Sequence, residues 1–177
     1  RMMDVLLLRF DAPLMSFGAP AVDNYCVTQD FPALSMLTGL LGNALGYEHR
    51  DAPLLQRLQE RLGYAVRCDR PGRLLRDYQT VDLGQPFMLG AGWTTRGRPE
   101  GREGASGKGT HIRFRDYLAD GVYAIAVTLR PPEESPDAST LHDALRTPAR
   151  PLFLGRKCCL PAGPVLHRTF RSSRGRL

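Results

Sequence analysis

The chain has 177 residues, of which 42% are apolar, enough for one domain with a hydrophobic core. Its 24 Lys and Arg outnumber its 18 Asp and Glu, which gives a net charge of +6. No apolar run approaches the roughly 18 residues that a membrane-spanning helix needs. The apolar part of the N-terminal stretch RMMDVLLLRFDAP is too short for a signal peptide, so we expect a cytoplasmic protein with no membrane partner.

The positive charge lies in the second half of the chain. Residues 1–83 carry 9 basic and 10 acidic side chains, whereas residues 84–177 carry 15 basic and 8 acidic ones. One-sided positive charge favours a polyanionic partner such as a nucleic acid, because each neutralised phosphate releases counterions. A solvated basic face of a protein without such a partner is the alternative.

The first half predicts three strands and two helices. Asp4–Phe10 (DVLLLRF) is a continuous apolar run, which predicts a strand buried on both faces. A helix follows with Ser35 as its cap, and DAPLLQRLQERLG predicts a second, short helix closed by Gly63. The segments YAVRCD and LLRDYQTV then predict two strands that pair through a turn at RPGR.

The first of these helices carries Gly39, Gly42 and Gly46. Each glycine inside a helix costs ~1 kcal/mol relative to alanine. We therefore expect another backbone to pass close to this helix, either a strand packed beneath it or a nucleic acid strand above it.

The second half begins with a long glycine-rich segment at residues 84–110, which predicts an inserted β-ribbon arm. IRFRDYLADGVYAIAVTLR predicts two strands around a turn at Asp120-Gly121. SPDASTLHDALRT predicts a capped helix, and PLFLG is the last apolar run before a basic tail. Without the insertion the order approximates β-α-β-β-α-β. That α+β, ferredoxin-like plan is the one that RNA-recognition modules use, so the fold is RRM-like.

The stretch LFLGRKCCLPAGP contains the first candidate site. Gly155 allows backbone amides to approach an anion, and Arg156 and Lys157 add positive charge, so the loop is a candidate phosphate site; a plain basic turn is the alternative. The adjacent Cys158 and Cys159 point in different directions along an extended chain. A tetrahedral metal site is therefore not expected, and no cofactor is predicted.

Three clusters of aromatic and basic residues accompany this loop. Aromatic side chains stack unpaired bases and arginines bind phosphates, so the clusters predict contacts with single-stranded RNA. A core position is the alternative for Phe114 and Tyr117. On the arm, Phe87, Met88 and Leu89 would wedge beside a base or pack against a partner subunit. The clusters are Arg76 with Tyr78, Trp93 with Arg96 and Arg98, and Arg113 with Phe114, Arg115 and Tyr117.

Cleavage of RNA without a metal needs a general base for the 2′-hydroxyl and an acid for the leaving group. His111, Lys108 and Tyr78 are the candidates in this sequence. A solvated arm is the alternative explanation for His111 and Lys108. Motifs typical of metal-dependent nucleases and of nucleotide-binding loops are absent from the sequence.

Six segments in order resemble the CasD family, a RAMP-superfamily subunit of the type I-E CRISPR surveillance complex Cascade. They are LLLRFDAPLMSFG, FPALSMLTGLLGNALGYEHRD, AVRCD, LRDYQTV, RDYLADGVYAIAV and LFLGRKCCLP. The resemblance extends to about Pro164. Residues 165–177 form a basic tail beyond it, where members of the family usually continue.

The resemblance implies a ferredoxin-like palm, made of residues 1–83 and 111–164, with a β-hairpin thumb inserted at residues 84–110. It implies binding of the 5′ handle of the CRISPR RNA (crRNA). It also implies contacts with a CasC-type backbone subunit and a CasA-type large subunit, and with target DNA through the complex. For the handle, the resemblance implies contacts from the glycine-bearing helix that starts at Ser35 and from the Gly155 loop. Together with the clusters of aromatic and basic residues and the arm, the predicted RNA-binding residues are Ser35, Gly39, Gly42, Arg76, Tyr78, Trp93, Arg96, Arg98, Lys108, Arg113, Gly155, Arg156 and Lys157.

Related type I-C proteins cleave the guide precursor, whereas type I-E members leave cutting to a separate subunit. A histidine common in this strand of the family is replaced here by Gln79. We therefore expect binding without catalysis. A metal-free endoribonuclease, and an adaptor that touches only protein, are the rival hypotheses.

Overall fold

The computed structural model describes residues 3–82, 92–93, 99–100 and 110–172. Within these ranges the chain forms, in order, β1 (Met3–Asp11), β2 (Leu14–Met15), β3 (Tyr25–Cys26), α1 (Leu34–Leu45), α2 (Ala52–Arg61), β4 (Leu62–Arg70), β5 (Arg73–Asp82), β6 (Gly92–Trp93), β7 (Pro99–Glu100), β8 (Thr110–Ala119), β9 (Val122–Leu129), α3 (Ala138–Arg146) and β10 (Leu166–Ser172). A 3-10 turn at His49–Asp51 leads into α2.

The first sheet has the strand order β10-β1-β9-β4, and every neighbouring pair is antiparallel. In β1, Leu6, Leu8 and Phe10 are buried, whereas Arg9 is exposed and Leu7 is half-buried. The expected burial of β1 on both faces is therefore wrong. One face of the strand contributes to the core, and the apolar residues of the other face are only partly covered.

Helices α1 and α3 pack against each other next to this sheet. Leu37 and Leu41 of α1, with Leu141 of α3, are completely buried in one core with Leu8 and Phe10 of β1. Each fully buried side chain of this size stabilises the fold by about 1.5–3 kcal/mol. The leucine spacing that predicted helices at these positions therefore also predicted which faces enter the core.

A second sheet is built around β8, which pairs with β5 over its whole length and also with β2 and β3. The two strands predicted around RPGR both exist, but their predicted pairing is wrong, because β4 pairs with β9 of the first sheet and β5 with β8. Gly72 has φ +77° in the connection between them. The turn between β8 and β9 at Asp120, with φ +59°, likewise joins the two sheets.

Two helix ends differ from expectation. Ala33, in extended conformation, occupies the N-cap position of α1, so Ser35 lies in the first turn and does not cap it. Helix α2 passes directly into β4 at Leu62, and Gly63 is a strand residue that does not close the helix. The predicted cap of α3 is confirmed, since Asp137 accepts a hydrogen bond from the Thr140 amide.

The closing strand of the first sheet lies in the stretch that the sequence indicated as a basic tail. Leu166–Ser172 forms β10 and pairs antiparallel with β1. The apolar run PLFLG is a loop instead, in which Leu152 and Leu154 are buried in the core. Its apolar character therefore reflects core packing and not a strand.

Among the residues that the structure describes, no helix combines the length and the apolar character needed to cross a membrane.

Candidate nucleic-acid interface

A cleft of about 700 Å³ lies where the loop after β2, the start of α1 and the loop around Gly155 meet. We call it the α1 cleft. It contains three residues that the sequence singled out for RNA binding: Ser35, Gly155 and Arg156. Small residues form much of its wall, which leaves backbone groups accessible to a ligand. The full lining is Ser16, Phe17, Gly18, Ala19, Pro20, Ala21, Cys26, Val27, Gln29, Ala33, Ser35, Met36, Gly155 and Arg156.

The N-terminus of α1, which is the positive end of the helix dipole, lies at this cleft. Ala33 has no capping side chain, and no acidic residue stands in the first turn. The Ala33 carbonyl accepts from the amides of Met36 and Leu37, at 3.1 and 3.2 Å. The amides of Leu34 and Ser35 form no hydrogen bond within the described part of the chain. Exposed amides at the positive end of a helix dipole favour a bound anion.

Gly155 closes one wall of the α1 cleft through an unusually close backbone approach. It has φ +113°, and a β-carbon at this position would lie 1.9 Å from the Ser16 carbonyl oxygen. The neighbouring Leu154 carbonyl accepts a hydrogen bond from the Ser16 amide at 3.1 Å. The backbone that requires a glycine here therefore belongs to the protein itself. RNA binding by Gly155 stays a prediction.

Arg156 is held by hydrogen bonds inside the protein. Its guanidinium donates to the carbonyls of Asp116 at 2.9 Å and of Cys26 at 2.8 Å. It also lies 4.8 Å from the centre of the Tyr117 ring, a cation–π contact of about 0.5–2 kcal/mol. Arg156 thus joins β3, β8 and the Gly155 loop, and it brings positive charge to the cleft as part of a fixed wall.

Burial changes the acidity of two groups beside this arginine. Desolvation raises the pKa of Tyr117, and the contact with the Cys158 thiol raises it further. Burial also raises the pKa of the Cys159 thiol to about 11. Cys159 is completely buried whereas Cys158 is exposed, so the two adjacent cysteines differ in their access to solvent.

Lys157 is exposed at the rim of this loop, and its ammonium group has no hydrogen bond or ion pair among the described residues. Arg156 and Lys157 therefore differ in kind. The guanidinium group of Arg156 is held by contacts inside the protein, whereas the ammonium group of Lys157 is available, within the described ranges, to bind an anion.

The glycines of α1 have three different structural surroundings. A β-carbon at Gly42 would lie 2.4 Å from Cδ2 of Leu55, so this glycine lets α2 pack closely on α1. Gly46 ends α1 in the left-handed region, with φ +86°. Only Gly39 faces open space, with nothing within 4 Å of an added β-carbon. The shared explanation that a nucleic acid approaches all three glycines is therefore unnecessary for Gly42 and Gly46.

The pair of strands β5 and β8 separates the other predicted residues onto two faces. Arg76 stands opposite Asp116 and Tyr78 opposite Phe114, which defines the Tyr78 face. Gln79 stands opposite Arg113, and Leu75 opposite Tyr117, which defines the Tyr117 face. Arg113 donates to the Asp23 carbonyl at 2.7 Å. The Tyr117 face continues into the α1 cleft through Arg156, so Arg113 lies on the same side as the cleft.

On the Tyr78 face, Arg76 forms a bidentate ion pair with Asp116, at 2.7 and 2.9 Å. Its hydrogen bonds hold the pKa of the Asp116 carboxyl below its usual range. The guanidinium lies 5.5 Å from the centre of the Tyr25 ring. Arg76 is therefore already paired, while half of its side chain stays exposed.

Three aromatic rings form a row beside Arg76. Tyr25 stacks on Phe114 at 4.9 Å with nearly parallel planes, and Tyr78 lies 5.3 Å from Phe114 on the other side. Tyr78 is 56% exposed and Tyr25 is 44% exposed, so both present ring surface to solvent. Sequence reasoning missed Tyr25, because it lies in a loop-like stretch without periodicity. Tyr117, by contrast, is a core residue.

Several predicted residues lie outside the part that the structure describes. They are Arg96, Arg98, Lys108, Phe87, Met88, Leu89 and the side chain of Trp93. The backbone of Trp93 belongs to β6, which pairs antiparallel with β7. The role of these residues in RNA or subunit contacts stays a prediction.

The alternative catalytic set is not assembled among the described residues. His111 stands opposite Val81 and Tyr78 opposite Phe114, so the two side chains leave β8 and β5 on opposite faces. Lys108 lies outside the described ranges. In those ranges, His, Cys, Asp and Glu also form no group of three that could hold a metal ion.

The described residues define a mixed α and β protein with three α-helices, a four-stranded antiparallel sheet, a mixed sheet around β8 and the antiparallel pair β6–β7, and with a cleft of small residues and one arginine at the start of α1. The family described as CRISPR-associated protein (Cas_Cas5) matches residues 5–176. The CRISPR system Cascade subunit CasD of Escherichia coli K12 is 32% identical over 172 residues, which cover 97% of this chain and 74% of that protein. The chain therefore belongs to this CRISPR-associated family.

Solved structures agree with this assignment. A chain of a CRISPR RNA-guided surveillance complex is 31% identical with a TM-score of 0.69, over 92% of this chain. The present chain spans 61% of the length of that chain. A structure described as a Cas protein is 26% identical with a TM-score of 0.57, over 98% of this chain and 67% of that one.

Proposed function

We propose that this protein is a subunit of a CRISPR RNA-guided surveillance complex that binds the 5′ handle of the crRNA and cleaves no RNA. The observation that carries the proposal is the α1 cleft, where free amides of α1, the Gly155 loop and Arg156 surround one space. The similarity to the Cascade subunit CasD supports the same function.

The cleft fits the backbone of a single strand better than a folded protein partner. Half of its lining residues are Ser, Gly or Ala, and such small side chains leave backbone amides accessible to phosphates. Lys157 provides a cation that has no partner among the described residues, and Arg113 adds charge on the adjoining Tyr117 face. Gly39, the one α1 glycine beside open space, extends the accessible strip of the helix beyond Ser35.

The finer fold proposed is a ferredoxin-like palm. The order β10-β1-β9-β4, with α1 between β1 and β4 and α3 between β9 and β10, supports this plan. β5 and β8 lead into and out of the segment proposed as the thumb. The partners proposed with it are a CasC-type backbone subunit and a CasA-type large subunit, with target DNA reached through the complex.

Binding without cleavage is supported by the placement of the acid–base candidates. A general base and acid must act on one phosphodiester, yet His111 and Tyr78 project from opposite faces of one strand pair. Repeat RNA incubated with the protein and EDTA should therefore stay intact. Specific cleavage that disappears in His111→Ala would favour the endoribonuclease instead.

The proposal is tested by RNA affinity across a salt series. Lys157→Ala should weaken binding of a handle RNA and make its salt dependence shallower, because one phosphate contact is lost. Arg67→Ala is the matched control, since Arg67 is 77% exposed, pairs with Asp69 and lies on the edge strand β4. Equal affinities and salt slopes for the two variants would contradict RNA binding at this loop.

A further inference from the structure

A second cleft, of about 590 Å³, lies between α3, the loop after Leu152 and the start of β10. We call it the β10 cleft. It has no lining residue in common with the α1 cleft. Its lining is His142, Leu145, Arg146, Pro148, Leu152, Pro161, Gly163, Pro164, Val165, Leu166, His167 and Arg168.

The ionisable side chains that line this cleft are all basic. Two arginines and two histidines line it, and no Asp or Glu is among its lining residues. Most arginines described in this structure donate to a carboxylate or a carbonyl, as Arg76 and Arg156 do. Arg146 and Arg168, in contrast, form no side-chain hydrogen bond or ion pair with any described residue. Within the described ranges, neither guanidinium group is therefore held by a carboxylate or a carbonyl.

An irregularity of β10 brings consecutive residues into the cleft. Leu8 of β1 pairs with Leu166 and Leu7 pairs with Arg168, which leaves His167 as an extra residue in β10. In a regular strand, successive side chains point to opposite faces, but a bulge changes their direction. The bulge accounts for the presence of both His167 and Arg168 in the lining.

The opposite wall is fixed by α3. Nδ1 of His142 lies 2.8 Å from Oγ1 of Thr169, so a side-chain hydrogen bond ties the helix to β10 and sets the orientation of the imidazole. Arg146 follows His142 by one helical turn and lines the same cleft. Beneath these groups, Leu145, Leu152 and Val165 form a buried apolar floor.

We propose that the β10 cleft is a second binding site, which takes a nucleotide-sized ligand through its phosphate group. Guanidinium groups bind phosphate with paired, charge-assisted hydrogen bonds, and imidazole N–H groups add further donors. The volume exceeds what a bare phosphate needs and lies within the range of small-ligand sites, so the apolar floor and the prolines have room for a sugar or base. The phosphate belongs either to a nucleic acid strand or to a free mononucleotide.

The test measures binding of 5′-AMP and of the single-stranded octamer U8 to the full chain, with uridine as the probe without phosphate. In the double variant Arg146→Gln/Arg168→Gln, affinity for a phosphate probe should fall ~10-fold or more, because two charge-assisted contacts are lost. Loss for U8 alone identifies strand phosphates as the source, and loss for 5′-AMP alone identifies a free nucleotide.

The matched control is Arg50→Gln/Arg67→Gln, which removes the same two charges at side chains that are 80% and 77% exposed. It should retain wild-type affinity for 5′-AMP. Thermal melts establish whether each variant folds. If the double variant Arg146→Gln/Arg168→Gln does not fold, the single variant Arg168→Gln is measured in its place. Equal losses in both double variants, or binding of uridine as tight as that of 5′-AMP, would overturn the proposal.

Discussion

The backbone of Gly155 passes so close to Ser16 that a β-carbon on the glycine would lie 1.9 Å from the Ser16 carbonyl oxygen. This contact fixes the loop that contains Arg156 against the loop after β2. The α1 cleft therefore has a rigid wall, and its geometry depends on one position that tolerates only glycine.

Gly155→Ala should destabilise the fold by roughly 3 kcal/mol, because it combines a left-handed conformation with a backbone clash. Chemical denaturation measures this change. Gly163→Ala is the control, since nothing lies within 4 Å of a β-carbon there. Similar stabilities of the two variants would contradict the described approach of Gly155 to Ser16.

Gly39→Ala should raise the stability of the fold and lower its affinity for RNA. Alanine replaces an exposed glycine within α1 without a contact, so unfolding should become harder by about 0.5–1 kcal/mol. If RNA passes along this strip of α1, the added methyl group should at the same time weaken handle binding. Denaturation curves and RNA affinities measured on the same preparation give both numbers, and a more stable variant with undiminished affinity would place the RNA elsewhere.

The ion pair of Arg76 with Asp116 should make stability depend on acid pH. The pKa of Asp116 is lowered in the folded state, chiefly by hydrogen bonds from Arg76. Its contribution is therefore fully present above the ordinary Asp pKa of ~4 and is lost as the pH falls through the lower folded value.

At pH 7, Asp116→Asn should cost about 1–2 kcal/mol, a modest figure because Arg76 is half exposed. The difference from the wild type should shrink below pH ~4. Denaturation midpoints at pH 7 and pH 3 provide the measurement. If the difference in unfolding free energy between the wild type and Asp116→Asn is the same at pH 7 and pH 3, the ion pair contributes no pH-dependent stability.

The adjacent thiols should react very differently. Cys158 is exposed, whereas Cys159 is completely buried and burial raises its pKa to about 11. The variant Cys26→Ser/Cys68→Ser leaves these two thiols as the ones that can react. At pH 8 a thiol reagent should modify one equivalent quickly and the second only after unfolding, since reaction needs an accessible thiolate. Equal rates for both thiols in the folded protein would contradict the buried placement of Cys159.

Local signals in the sequence predicted much of the fold. Leucine spacing identified the buried faces of α1 and α3, and the cap predicted for α3 is present, with Asp137 in that position. Strand pairing was not predictable in the same way. β4 and β5 are joined by a two-residue turn yet belong to different sheets, because each finds its partner, β9 or β8, far along the chain.

β10 was missed for a related reason. LHRTFRS is polar and basic, as an edge strand with one exposed side tends to be, and only its pairing with β1 makes it a strand. The candidate site was partly predictable. Gly155 was singled out because a glycine allows a close approach, but the sequence does not distinguish an approaching RNA backbone from the protein's own Ser16.

The central claim, that guide RNA runs through the α1 cleft, is tested most directly by photocrosslinking. Handle RNA carrying 4-thiouridine at successive positions is irradiated with the protein, and the linked peptides are identified by mass spectrometry. We predict crosslinks to the segments around Ser35 and Gly39 and around Gly155 and Lys157. Crosslinks confined to α2 and β4, with none at these segments, would contradict the proposed function.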